Sequence, residues 1–427
     1  MMQKKLIVAL SALPLALAGF AFAADSTSNT AAATQAQLNQ IQQQIIALQA
    51  QIHQDGQRHA TLSHREHTLG RGIGNYLEDD SAPGYNLEGS YPAPTFAVDL
   101  LENKDHYGAL TVGGALEQDT QYFDGSTGMP HGSQVALTTA NVDLMSNINT
   151  WTTAFVSAGI VGSNDMSFTL NKGFITFGNL SKSPLYLSVG RNYIPFGTFG
   201  GNGPWSANLT RILFRSNEID EVILGMQRQH LGNSLTLLNN DSGSTLSNFA
   251  YSANYENAFH QINYTLGAGY LNDMRATVGD ALAGSTDPRR MPAQDINGSI
   301  SYGLYSFSSE LISLTHAPVG QNGKPRSWYF NGSYAPMIMG DTTVFDLSFS
   351  QSTHFNNVTT ALNAPLVANS NNPNLPGSIT TGVQRMWIAG ISREVLPDFI
   401  PGLEYMEYNT YAHQHASAWT LDLSLFF

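Results

Sequence analysis

Isolated charged side chains on otherwise polar faces are the first chemical feature of this 427-residue sequence. Glu117 and Asp119 stand at odd-numbered positions, and Val112 and Leu116 stand at even-numbered positions of the same segment. In a β-strand, this spacing places both carboxylates on one face and the apolar side chains on the opposite face. Fixed charges on the wet face of a sheet attract or repel ions and charged solutes. The predicted chemistry is therefore electrostatic selection.

Other charged residues are candidates for the same role. Lys172 interrupts the apolar face of a second segment, and Arg191 stands near the end of a third. A Gly-rich connection follows, which carries two arginines before an acidic residue. An ordinary surface loop with solvated charges is the alternative interpretation of that connection. The complete set of candidates for a pore lining or constriction is Glu117, Asp119, Lys172, Arg191, Arg211, Arg215 and Glu218.

Catalytic and metal-binding patterns are weak. The chain has no cysteine, which excludes thiol catalysis and disulfides. His413 and His415 have no nucleophile motif such as G-x-S-x-G to act with. His64-x-x-His67 alone matches no standard zinc spacing. The sequence therefore predicts no enzyme, no catalytic residue, no cofactor and no metal site.

Composition limits the class of protein. Charged residues make up 12% of the chain, against about 25% in ordinary globular domains. Polar uncharged residues take their place, as expected where half of each strand faces water. The formal net charge of −13 argues against a nucleic-acid partner.

The N-terminal part divides into three segments. Residues 1–23 have a charged start, an apolar run and an A-x-A site, which predict a secretory signal peptide. Residues 24–56 contain a polar start and a short heptad helix, and residues 57–107 form a periplasmic linker or partial plug. The helix is either a self-associating coiled coil or a lone amphipathic helix packed beneath the rest. Its predicted seam consists of Leu38, Ile41, Ile45, Leu48 and Ile52.

Residues 108–427 consist of alternating segments of roughly ten residues, which predict an all-β, transmembrane antiparallel β-barrel. About sixteen segments are present, and an even number returns the chain to the side where it began. The predicted strands are 108–123, 134–147, 150–162, 166–178, 184–195, 218–228, 231–240, 247–256, 259–271, 294–304, 306–316, 327–336, 341–354, 382–394, 402–412 and 416–427.

The connections support this strand count. The long connections, 196–217, 272–293 and 355–381, all follow odd-numbered predicted strands, whereas most even-numbered strands end in short turns. Barrels of the bacterial outer membrane have short periplasmic turns and long external loops. A wide barrel of this size leaves an aqueous channel, so its inward residues should be hydrated.

The last segment is a candidate barrel-closing strand that pairs with the first. Its apolar face consists of Trp419, Leu421, Leu423, Leu425 and Phe427. A final strand ending in Phe resembles the assembly signal of outer-membrane barrels in Gram-negative bacteria. The alternative is the last strand of a secreted β-sandwich. The resemblance implies the barrel assembly machinery, outer-membrane lipid and lipopolysaccharide as partners.

Two segments carry a more specific resemblance. G-R-N-Y-I-P-F-G at 190–197 resembles the G-[KR]-x-x-x-P-F-G segment of phosphate-selective and related porins. N-K-G-F-I-T-F-G-N-L at 171–180 is more similar to the LbtU-type siderophore porins of Legionella and its relatives. This resemblance implies a channel for ferric siderophores that works without TonB. In sixteen-stranded porins, the loop after strand 5 folds into the lumen, which implies that Arg211 and Arg215 face Glu117 or Asp119 across a constriction.

Other functions remain open at this point. A general diffusion porin for small polar solutes would show the same strands and the same loop. An adhesin could use the long loops and the N-terminal helix. Because many barrel porins form trimers, a homotrimer gathered by three helices is also expected.

Overall fold

The computed structural model describes residues 110–126, 131–161, 169–198, 208–214, 218–239, 246–260, 262–275, 289–319, 321–355, 382–396 and 398–426. The expected signal peptide, coiled-coil seam and linker lie outside the described residues, as do Arg215 and Phe427. Glu218 is described as a strand residue only, without its side chain.

The strands form one closed antiparallel barrel. Each barrel strand pairs with the next along the chain, and the last pairs with the first. A two-residue piece, β13 (Met337–Ile338), lies at the turn between β12 (Arg326–Tyr334) and β14 (Asp341–Thr353), which pair directly, so the barrel has 16 strands. This confirms the predicted fold class. The strands are β1 (Leu110–Gly125), β2 (Gly132–Asn149), β3 (Thr152–Val161), β4 (Thr169–Gly178), β5 (Leu185–Tyr193), β6 (Glu218–Arg228), β7 (Leu231–Asn239), β8 (Leu246–Phe259), β9 (Ile262–Leu271), β10 (Ala293–Tyr302), β11 (Tyr305–Leu314), β12 (Arg326–Tyr334), β13 (Met337–Ile338), β14 (Asp341–Thr353), β15 (Val383–Arg393), β16 (Phe399–Thr410) and β17 (His415–Phe426).

The predicted strands agree with the observed ones to within three residues at every end. The predicted sorting of connections is also confirmed. The three long connections follow β5, β9 and β14, and all leave the same end of the barrel, because successive strands run in opposite directions. We call this the long-loop end and the opposite one the short-turn end.

The two faces of the barrel differ in chemistry. On β17, Trp419 and Leu421 are exposed on the outer face, whereas Thr420 and Asp422 are buried on the inner face. The same alternation holds around the barrel, since successive side chains of a strand point to opposite sides. β1 closes the sheet against β17 with Asp119 opposite Asp422. The predicted pairing of the terminal strand with the first strand is therefore confirmed.

Aromatic rings gather on the outer face near the short-turn end. The rings of Tyr305 and Tyr334 stack with centroids 4.8 Å apart, and Tyr334 also stacks against Phe345. Girdles of aromatic residues at this height are typical of membrane barrels, since such rings suit the lipid–water boundary. No helix among the described residues is long and apolar enough to cross a membrane.

Candidate functional site: the barrel interior

The motif at 190–197 turns the chain from the wall into the barrel. Gly190 has a φ of 148°, and a Cβ there would lie 2.2 Å from the carbonyl oxygen of Gly173. Gly197 has a φ of 76°, in the left-handed region that favours glycine. Both glycines are therefore required by the backbone.

The described parts of the connection between β5 and β6 lie inside the barrel, and we call residues 194–198 and 208–214 together the infolded loop. Phe196 packs near Gly269 on the inner face of β9, where a Cβ would lie 3.2 Å from its ring. The backbone N–H of Thr198 donates to Glu310 Oε1 on β11, at 2.6 Å. The Thr198 hydroxyl lies 3.3 Å from that of Tyr329 on β12. The loop thus contacts strands far from its own attachment points.

A short helix, α1 (Leu209–Phe214), continues this path along the inner wall. The backbone N–H of Leu209 donates to Ser350 Oγ on β14, and the Thr210 and Ser327 hydroxyls lie 3.2 Å apart. The Asn208 side chain caps the helix by accepting from the backbone N–H of Arg211, at 3.0 Å. The helix is therefore fixed to the wall by polar contacts at its first turn.

Apolar packing holds the rest of α1. Leu213 and Phe214 are fully buried, and the Phe214 ring meets Phe355 edge-on at 5.4 Å. These side chains belong to a continuous apolar cluster on the inner face at the long-loop end of the barrel. Other members include Phe123, Leu238, Leu271, Leu314, Met386 and Tyr408. The infolded loop therefore packs into an apolar girdle at this end.

Below this girdle the inner face is polar and mainly acidic. Lys172 is buried there, with Nζ 4.6 Å from the centre of the Tyr193 ring. Arg211 is the buried cation on α1. The buried carboxyl groups on the described barrel strands are Glu117, Asp119, Asp143, Glu221, Asp295, Glu310, Glu404 and Asp422. Carboxyl groups thus outnumber basic groups among the described buried residues of this wall.

Three of these carboxyl groups meet at the strands that close the barrel. Oxygen atoms of Glu117, Asp119 and Asp422 all lie within 4.8 Å of one another. The Ser424 hydroxyl donates to both carboxylate oxygens of Asp422, at 2.7 and 3.0 Å. Glu404, on the neighbouring β16, interacts electrostatically with Asp119. We call Glu117, Asp119 and Asp422 the seam carboxylates.

A second polar contact fixes the long connection that follows β9. Burial by itself raises the pKa of the Asp273 carboxyl group. Hydrogen bonds from the Arg275 side chain and from backbone N–H groups outweigh burial, so the pKa of Asp273 lies below its usual value. The Arg275 side chain donates at 3.0 and 2.7 Å, and the Met291 N–H donates at 3.1 Å. The hydrogen bond from Met291 to Asp273 ties the two described ends of this connection together.

The structure distributes the predicted charged residues unevenly. Glu117, Asp119 and Lys172 lie on the inner face, and Arg211 lies inside on α1. Arg191 is exposed and shares the outer parity of β5, so it does not line the interior. This corrects the prediction for Arg191, and the reason is that its strand parity matches that of Leu185 and Val189.

Two further expectations about the interior have different outcomes. Hydrated inward residues were expected, but Glu117 and Asp119 are only 1% and 3% exposed, so this expectation is wrong on β1. The helix that carries Arg211, α1, lies against β11, β12, β14 and β15, whereas both carboxylates lie on β1. The pairing of Arg211 with these carboxylates stays a prediction.

Sequence reasoning missed several members of the acidic wall. Asp422 had a visible signal, since it lies on the polar parity of the last strand. Glu404 and Asp295 share the inner parity of β16 and β10 in the same way. Alternation along a strand predicts which face a residue is on, but it does not predict which carboxyl groups of different strands lie in contact.

Comparison with known proteins places the chain in a family. Residues 70–299, more than half of the chain, match the family described as a protein of unknown function, DUF3573. The chain belongs to the DUF3573 family. Two UPF0422 proteins of Legionella pneumophila, from strains Paris and Lens, are each 28% identical to this DUF3573 protein over 199 residues. Each alignment covers 40% of this chain and 35% of the relative.

A solved structure shares the fold of this DUF3573 protein. The outer-membrane channel DcaP of Acinetobacter baumannii superposes with a TM-score of 0.50 and 10% identity. The superposition covers 74% of this chain and 97% of that one. The DUF3573 protein therefore has the barrel fold of an outer-membrane channel.

Proposed function

We propose that this protein is a passive outer-membrane channel whose wall favours cations and uncharged or cationic solutes. The observation that carries the proposal is the closed barrel with an acidic inner face. Opposite charges lower the energy of an ion in a narrow passage, and like charges raise it. In this proposal the signal peptide is removed, the N-terminus is periplasmic and the long loops face outward.

The described state is a closed one in this proposal. The described parts of the infolded loop pack on the apolar cluster at the long-loop end, and apolar constrictions gate a passage by excluding water. Opening then requires α1 to leave Ser327 and Ser350. Catalysis is not part of the proposal, because the fold and the wall suit passage of solutes.

The charge preference can be tested with two neighbouring residues on β6. Glu221 is buried on the inner face, and Asp220 is exposed on the outer face. We expect Glu221→Gln to lower the cation-to-anion permeability ratio at alkaline pH, where the carboxyl group is ionised, because the substitution removes an ionisable group from the wall. Reversal potentials in planar bilayers under a KCl gradient measure this ratio.

Asp220→Asn is the matched control, since it removes the same charge from the same strand on the other face. It should leave the reversal potential unchanged. Equal effects of the two substitutions, or anion preference in the native protein, would overturn the proposed selectivity.

Ferric siderophores are the solute class that we propose within this function. The support is the resemblance of 171–180 to LbtU-type siderophore porins. The acidic wall adds a condition, because it disfavours anionic chelates and favours those without net negative charge. A general diffusion porin is the second candidate, and a homotrimer gathered by the N-terminal helices remains a proposal.

Uptake by a deletion strain separates the two candidates. We expect loss of the gene to reduce uptake of a neutral or cationic ferric chelate more than uptake of an anionic one. Liposome swelling with small sugars provides the comparison. Unchanged chelate uptake in the deletion strain, combined with normal swelling, would leave the general diffusion porin as the function.

A further inference from the structure

The seam carboxylates are enclosed by apolar contacts on both sides along their strands. Towards the long-loop end, Phe123 pairs with Ala418, and towards the short-turn end, Ala115 pairs with Phe426. All four side chains are buried. Because charge is costly to bury, negative carboxylates in this position require compensation by protons or by a cation.

Two of the carboxyl groups face each other directly across the seam. Asp119 and Asp422 are opposite each other in the register of β1 and β17, with carboxylate oxygens within 4.8 Å. Among the described residues, no lysine, arginine or histidine is seen to form an ion pair with either of these two aspartates. A cation held between them would supply the compensating positive charge.

Two buried oxygen atoms near the seam have no hydrogen-bond donor among the described residues, which indicates that a ligand is needed to satisfy them. Asp119 Oδ1 is buried and accepts no hydrogen bond among the described contacts, although its side chain is only 3% exposed. Oε1 of Gln121, the next inward residue on β1, is buried and unpartnered in the same way. A buried acceptor without a donor costs free energy, and a bound cation would recover it.

We propose that Glu117, Asp119 and Asp422 bind a hard divalent cation, best matched by Ca²⁺, which joins β1 to β17 at the closing seam. The donor set contains only oxygen atoms, which Ca²⁺ and Mg²⁺ prefer. Gln121, two residues from Asp119 on the same face of β1, carries a further buried oxygen acceptor. The Ser424 hydroxyl orients Asp422 by donating to both of its oxygens, as outer groups do at metal sites.

The coordination preference of the two ions favours Ca²⁺. The carboxylate oxygens lie within 4.8 Å of one another, which is compatible with either ion. Mg²⁺ demands near-ideal octahedral geometry and usually keeps several waters, whereas Ca²⁺ accepts a flexible shell of carboxylate and carbonyl oxygens. A cluster of three carboxyl groups therefore suits Ca²⁺ better.

The cation site would stabilise the closed barrel, and this role does not depend on which solute the channel transports. β1 and β17 are the first and last strands, and their pairing completes the sheet. A cation coordinated from both strands binds the closed barrel and not the open chain. It would therefore stabilise the folded state by mass action.

The test uses the full chain, purified in detergent free of lipopolysaccharide and stripped with EDTA. Titration calorimetry with CaCl₂ should show one site, with a Kd of about 10⁻⁴ to 10⁻³ M or tighter. Millimolar CaCl₂ should raise the temperature at which the barrel loses its folded mobility on gels, and MgCl₂ should do so less.

Three variants separate the site from general acidity. Asp422→Asn and Asp119→Asn should weaken Ca²⁺ binding by roughly tenfold or more, consistent with loss of a charged ligand. Asp295→Asn, a buried inward carboxyl group on β10, should bind Ca²⁺ like the native protein. Should either seam variant fail to fold, Ser424→Ala is the substitute, and it should weaken binding without removing a ligand.

Ca²⁺ binding to the native protein tests the proposed site without any substituted variant. Absence of Ca²⁺ binding to the stripped native chain at neutral pH would overturn the proposal and leave shared protons as the compensation. The same conclusion follows if Asp422→Asn and Asp295→Asn bind Ca²⁺ equally. Loss of ion selectivity in bilayers, in contrast, would bear on the proposed channel and not on this site.

Discussion

Replacing Leu213 and Phe214 together with aspartate is expected to raise the single-channel conductance several-fold. Both side chains are fully buried on α1, inside the apolar cluster at the long-loop end. Burial of each Leu or Phe side chain stabilises the packed helix by about 1.5–3 kcal/mol. A buried aspartate without a partner destabilises it instead, because charge is costly to remove from water. The polar contacts of α1 with Ser327 and Ser350 contribute about 1 kcal/mol apiece, which is too little to hold the helix in place.

Planar-bilayer recording measures this effect, and Ile212→Asp is the matched control. Ile212 is only partly buried against the same cluster, so its substitution should raise the conductance less. A conductance of the double variant equal to that of the native protein would show that α1 does not block the passage.

A cysteine pair gives a reversible version of the same test. The Thr210 and Ser327 hydroxyl oxygens lie 3.2 Å apart, and the chain has no cysteine of its own. Thr210→Cys with Ser327→Cys should therefore form a disulfide that holds α1 on the wall. Conductance should be low when the pair is oxidised and should return on reduction.

Leu421→Arg is expected to destabilise the folded barrel and lower the folded fraction. Leu421 lies in the middle of β17 on the outer face, opposite Thr120 of β1 and Leu403 of β16. Arginine near the bilayer midplane on a lipid-facing strand costs about 2–4 kcal/mol. That is a large share of a typical folding free energy, which is about 5–15 kcal/mol. The folded fraction in lipid vesicles, measured by mobility of unheated samples on gels, reports the loss.

The control is His415→Arg, at the end of the same strand and on the same face. Charge near the membrane boundary costs only about 0–1 kcal/mol, so this variant should fold nearly normally. Equal folding of the two variants would mean that the outer face of β17 is not embedded in lipid.

Local pattern determined most of the fold. A two-residue period is a property of the strand itself, so the sixteen segments and their two faces follow from neighbouring residues alone. Turn length is equally local, which explains why the long connections were sorted correctly to one end. Even the closing pair, β1 with β17, follows from the strand count, because an unpaired edge is not tolerated in lipid.

Only the tertiary structure decided what meets inside the barrel. Glu117 and Asp119 come near the start of the barrel and Asp422 near its end, and the register of β1 on β17 joins them. The path of the infolded loop depends on Gly190, Gly197 and the space beside Gly269. Such contacts depend on the register and shape of distant strands. The sequence therefore determined which faces are polar, but three-dimensional packing decided which of those groups are buried together.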